Sequence, residues 1–181
     1  MNHLRLCIHL LLYLLLLPGL SLAGEHMVAK KESLIAAYVY NFIQYSDWPT
    51  SKNDNAGKLL SILGTHPFGT SLDAIAEKSP ASHRLSVRYC ADIPCLQGSD
   101  AVFIPRAEAS SLPQTLQALQ GEPILTISDI PDFATSGGMI ELVYKNKKLR
   151  FRINLLHVKR EKILISSQLL HFSEVIEEEV R

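Results

Sequence analysis

Asp129 and Asp132, three residues apart, have the spacing of an acid and base pair, and Arg150 and Arg152 project together from one face of an extended strand. The first pair would move protons. The second would hold a carboxylate or an acidic surface bidentately. Beyond residue 23 there are two cysteines, Cys90 and Cys95. In an oxidising compartment, which the N-terminus implies, an even pair forms a disulfide more often than it stays as two thiols. Of the seven histidines, the five beyond residue 23, His26, His66, His83, His157 and His171, are scattered, without HExxH or other zinc spacing. His157 and Glu161 lie four apart on an expected helix and read as a solvated ion pair. There is no GxSxG elbow, so Ser166 and Ser167 read as helix caps. Asp129 and Asp132 also fit the start of a short helix, where carboxylates meet the positive end of the dipole. No catalytic or metal-binding set assembles from these residues. They point to recognition without bond-making, and imply no cofactor.

Helices and strands must position these groups. Residues 28–48 read as the first helix, with Ile35, Tyr38, Val39, Phe42 and Tyr45 at helical spacing and Pro49 as its stop. Its aromatic residues, Trp48 included, either pack the helix on a sheet or line a ligand groove. Residues 59–63 read as a strand, and THPFG turns the chain into a helix over 70–78. The strand–glycine–helix order has the form of an anion-cradling turn, but it is neither GxGxxG nor GK[ST]. Residues 85–89 alternate as a second strand. AVFI at 101–104 is a third, a continuous apolar run of the kind a strand buried on both faces requires. A helix over 112–119 and a fourth strand over 124–127 follow. Strands separated by helices at this rhythm predict an α/β fold: three layers, a mainly parallel mixed sheet with helices on both faces, and a C-terminal β-hairpin.

After the fourth strand, Ser128 or Asp129 is expected to cap a short helix that Gly137-Gly138 ends. Strands over 139–144 and 149–153 flank the turn KNKK at 145–148. Leu149, Phe151 and Ile153 point one way, and Lys148, Arg150 and Arg152 the other. The basic strand is a binding candidate; equally, it reads as a charged face guarding a sheet edge. A helix over 155–161, a last short strand over 163–165 and a closing helix from Ser166 through Val175 complete the chain. Ligands in open α/β sheets sit beyond the strand C-termini. That rule points to residues 64–69, 105–106 and 128–133, with Phe68, Asp129 and Phe133 as candidate binding residues.

Residues 1–23 read as a signal peptide, with Arg5, an apolar run over 6–17, and Ser21-Leu22-Ala23 before the cleavage point. The remainder, 24–181, reads as one domain exported to the periplasm. Lysine plus arginine and aspartate plus glutamate both number 18, so no basic field calls for nucleic acid.

A set of ordered blocks resembles the YfiR family of small bacterial periplasmic proteins. The blocks are AAYVYNFIQYSDWP (36–49), LSILGTHPFG (60–69), DAVFI (100–104), PILTISDIPDFATSGGMIELV (123–143), KLRFRINL (148–155) and ILISSQLL (164–170). The resemblance implies an α/β domain, often a homodimer, that represses an inner-membrane diguanylate cyclase by binding its periplasmic region. Its release would raise cyclic-di-GMP and promote biofilm formation. The family places a cysteine just before the AVFI-like strand, matched by Cys95; the strand over 60–63, where its partner is expected, has none, and Cys90 stands as the substitute. The alternative is a binding module for a small molecule or a cell-wall fragment.

Overall fold

The computed structural model describes residues 22–49, 57–65, 67–146 and 148–177. The leader expected over 1–23 lies outside the described residues as far as residue 21, as do residues 50–56, His66 and Lys147; Leu22 and Ala23 open the first helix. The chain divides into two compact units, Met1–Lys30 and Lys31–Arg181. The sheet and the helices packed on it belong to the second.

Helix α1 (Leu22–Gln44) is followed by β1 (Ser46–Asp47), β2 (Lys58–Leu63), α2 (Ser71–Lys78) and β3 (Leu85–Cys90). Then come β4 (Ala101–Ile104), α3 (Leu112–Leu119), β5 (Leu125–Ser128), β6 (Ile140–Lys145) and β7 (Lys148–Asn154). The chain continues through α4 (Leu155–Arg160), β8 (Leu164–Ile165), α5 (Ser167–His171) and β9 (Glu174–Ile176). Seven strands form a mixed sheet in the order β3-β2-β4-β5-β6-β7-β9. The pairs from β3 to β6 are parallel, β7 turns back antiparallel to β6, and β9 runs parallel to β7. A separate antiparallel pair joins β1 to β8.

The apolar run at 101–104 is buried at every position. Ala101 and Phe103 join one core with Ile35, Val39 and Phe42 of α1 and Leu72 of α2. Val102 and Ile104 join the other core with Leu112 and Leu119 of α3, Leu96 and Phe133. The three layers are thus built from the period of two in a single strand. Each fully buried Phe or Leu here adds about 1.5–3 kcal/mol relative to exposure.

Several element ends shift from the sequence reading, the hairpin strands reaching Lys145 and Lys148 within the expected turn; four of the differences have a clear local reason. α1 stops at Gln44 rather than 48, because Ser46 Oγ donates to the Phe42 carbonyl at 2.7 Å and Ser46–Asp47 pair with Leu164–Ile165. Lys58, one residue before the expected strand over 59–63, opens β2 beside Leu85. No helix forms after β5; residues 131–137 are a chain of turns. There Ser128 is still in the ladder, its hydroxyl donating to the Ile104 carbonyl and accepting from the Ile130 amide. Asp129 accepts from the Arg106 amide at 2.8 Å, and Asp132 is left-handed at φ 59°, a conformation aspartate tolerates. Finally, the closing helix is only α5, capped by Ser166, and β8 is not the last strand. Val175 and Ile176 are β-branched, and β7 offers them an open edge, so the chain pairs there as β9 instead of continuing a helix.

Cys90, closing β3, is bonded to Cys95 in the turn Pro94–Leu96. Cys90 is buried directly beside Leu63 in register, so the bond pins this turn beneath the second core. Reduction should lower the unfolding free energy by about 2 kcal/mol, the loop-closure figure for so short a ring. Urea denaturation of oxidised and reduced protein measures the difference.

Tyr89 joins β3 to α2 by donating to Asp73 at 2.8 Å. Burial, the hydrogen bond to Asp73 and its negative charge raise the Tyr89 pKa from 10.0 to about 12. The neutral phenol is therefore favoured by folding: its contribution is intact below pH 10 and lost as pH rises to about 12. Titrating phenolate absorbance should show a late component that disappears in Tyr89→Phe. The variant should also lose less stability across that interval.

Candidate functional site

The strand face of β7 follows its sequence: Phe151 and Ile153 are buried, Leu149 is half-buried, and Lys148 and Arg150 are exposed on the other side. Facing the apolar side, α1 contributes Tyr38 and Phe42, whose rings meet Phe151 at 5.9 and 4.9 Å between centroids. Where α5 passes the same strand, a groove of about 450 Å³ opens, walled by Tyr38, Tyr45, Leu149, Phe151, Leu169 and Phe172, with Arg150 at its lip. Phe172 is 73% exposed and Tyr45 43%, large aromatic surfaces left in water. A second groove of about 460 Å³ continues past Arg150 and Phe172 to Lys145, His171 and Glu174. The surface therefore combines apolar walls with a basic rim, which suits a partner carrying apolar and acidic groups.

Arg152 faces the same side as Arg150 but is engaged within the protein. Its guanidinium lies 3.6 Å from Glu141, 3.8 Å from Asp132 and 3.4 Å from Glu174. The Glu174 contact is to Nε and is ionic, without hydrogen-bond geometry. Glu141 is the centre of this arrangement. It is only 3% exposed and accepts the amides of Asp132 and Ala134, each at 3.2 Å. Asn154 completes the clamp by donating to the Ala134 carbonyl at 2.7 Å while its Oδ1 caps α4 at the His157 amide. Sequence reading missed Glu141. The signal was present: a lone carboxylate in the apolar run MIELVY, opposite Arg152 once the hairpin register is drawn.

The other candidates sit elsewhere. Phe68 is buried with its ring 4.7 Å from Phe103, and Phe133 is buried in the second core, its ring lying where a Cβ on Gly138 would be. Asp129 ties its loop to Arg106, whose guanidinium donates to the Asp129 carbonyl. The Glu108 carboxylate packs against Gly64. These strand ends therefore carry internal ties, and the groove beside β7 is separate from them. Trp48 donates to the Asp100 carbonyl at 3.0 Å, with Lys58 Nζ 4.5 Å from the centre of its ring. It lines a pocket of about 380 Å³ with His83 and Arg84, apart from the groove. His157 and Glu161 line a pocket of about 250 Å³, and Glu161 accepts the Gly121 amide. Among the described residues no cluster of three His, Cys, Asp or Glu side chains has metal-binding geometry.

Residues 32–174 match the family model described as YfiR/HmsC-like, a span from α1 to the first residue of β9. The chain belongs to the YfiR/HmsC-like family. A search of curated proteins finds no match to it. YfiR/HmsC-like proteins are periplasmic regulators of diguanylate-cyclase signalling and are not known as enzymes. Among the described residues, no helix is long and apolar enough to cross a membrane. In this member the family fold carries the groove between α1, β7 and α5.

Replacing Glu141 with glutamine keeps its shape but sets an NH₂ against an amide donor and leaves Arg152 with less countercharge. Glu141→Gln should lower stability by about 1–3 kcal/mol, the cost of a buried donor left without an acceptor. Chemical denaturation measures it, and faster amide exchange at Asp132 and Ala134 would locate the loss.

Proposed function

We propose that this protein represses an inner-membrane diguanylate cyclase by binding the enzyme's periplasmic region through the groove beside β7. In this reading residues 1–23 are a cleaved leader and the exported chain acts in the periplasm. The observation that carries the proposal is the exposed aromatic surface of Tyr45 and Phe172 flanking Arg150 in a family of signalling regulators. Aromatic and arginine side chains at the centre of a patch are the usual energetic anchors of an interface. Binding would lower cyclic-di-GMP, and loss of the protein would raise it.

A second reading, a small-molecule or cell-wall-fragment site, is favoured by one observation. The groove's volume of about 450 Å³ lies in the range of ligand sites, and its apolar lining carries a single cation at the lip. A ligand at a hundred times its dissociation constant would add about 2.7 kcal/mol of stability, which a thermal-shift screen detects.

Isothermal titration of the protein against the periplasmic region of the cyclase tests the first reading. Arg150→Glu and Phe172→Ala should each weaken binding about tenfold or more, corresponding to about 1.4 kcal/mol. Strains carrying either variant should have raised cyclic-di-GMP. Full affinity in both variants would exclude this surface.

A further inference from the structure

The outer edge of β7 is only half covered. β9 pairs with Arg152, Ile153 and Asn154, and no described strand pairs with residues 148–151 on that side. The other side is taken by β6 along the whole hairpin, with Lys145 opposite Lys148 and Val143 opposite Arg150. In a hairpin closed by two residues, the pair flanking the turn is hydrogen-bonded, and bonded pairs alternate from there. Lys148, Arg150 and Arg152 therefore direct their main-chain groups to β6, while Leu149, Phe151 and Ile153 turn theirs outward. Ile153 meets β9. The Leu149 N–H and C=O and the Phe151 N–H face the groove that Leu149, Arg150 and Phe151 line.

Two different environments flank that half-edge. On the face of Leu149 and Phe151 stand Tyr38, Leu169 and Phe172. The face of Lys148 and Arg150 also carries Lys145, and residues 144–151, YKNKKLRF, contain no acidic residue. A strand laid along the edge would send alternate side chains to each face. We infer that this half-edge accepts an extended segment of the partner as an added strand, end to end with β9, and that the segment alternates apolar and acidic side chains. The inference rests on reading the groove as the binding surface and specifies what kind of chain enters it. A second copy of this protein is a poor occupant: edge against edge, Lys148 and Arg150 would meet their own kind, which destabilises cross-strand pairs.

The test uses the intact protein and three capped peptides: one alternating valine and glutamate, the same peptide N-methylated at alternate amides, and its valine–lysine counterpart. Backbone amide resonances and hydrogen exchange report on each. The valine–glutamate peptide should bind saturably and slow exchange at the Leu149 and Phe151 amides. The other two should bind at least tenfold more weakly, and added salt should weaken the first. Leu149→Pro removes an outward N–H without touching a bond to β6. It should lower peptide affinity about fivefold more than Leu149→Ala, roughly one net hydrogen bond. No binding, equal binding of the methylated or lysine peptide, or unchanged exchange at those two amides overturns the inference. Binding of the cyclase region that leaves both amides exchanging freely would overturn strand addition while sparing the proposed function. Slowed exchange with the peptide but no binding of the cyclase region would do the reverse.

Discussion

A buried carboxylate that cannot be left alone organises the C-terminal half of this fold. Glu141 sits in β6 with almost no exposure, so the fold must supply it with donors and a countercharge. The donors are the Asp132 and Ala134 amides, and the countercharge is Arg152 on the neighbouring strand. Satisfying one residue thereby shapes the connection between β5 and β6 and fixes Arg152 inward. It also gives Glu174 of β9 a cation to approach. Breaking such a pair by removing one member is far more harmful than replacing both, because the survivor stays buried and charged.

This arrangement separates the two arginines of β7 by function. Arg152 works inside the protein, whereas Arg150, two residues earlier on the same face, stands at the lip of the groove. The division follows from where β9 begins: Glu174 pairs with Arg152, so β9 covers the strand from Arg152 onward and leaves the hairpin-side half open. Exposed strand edges are normally blunted by charge. Here Lys145, Lys148 and Arg150 carry that charge beside the open half of the edge, and in the reading proposed above the same charges would select acidic chains.

The disulfide and the aromatic contacts have a supporting role at the opposite side of the sheet and under the groove. Cys90–Cys95 holds a turn beneath the second core, and the Tyr38–Phe42–Phe151 cluster forms the floor on which the exposed Phe172 and Tyr45 stand. A rigid apolar floor lowers the ordering cost of binding, since fewer rotamers must be frozen when a partner arrives.

What the residues alone determined is the part governed by local pattern. AVFI at 101–104 is apolar on both faces and had to be a central strand. Two alternating runs around KNKK had to form a hairpin, and Ser166 before an apolar stretch had to be a cap; all three stand in the fold, with Lys145 and Lys148 drawn out of the expected turn into the paired strands. What tertiary structure decided is where signals were shared or absent. The Ser-Asp-Ile-Pro-Asp segment fits a helix start and a turn equally, and Glu141's demand for amides settled it as turns. Glu174–Ile176 is too short and too acidic to announce a strand, and only the open edge of β7 made it one. Phe68 and Phe133 lie beyond strand ends that a ligand could occupy, yet long-range packing placed both in the core. The groove itself depends on bringing α1, β7 and α5 together across more than a hundred residues, a distance over which periodicity carries no information.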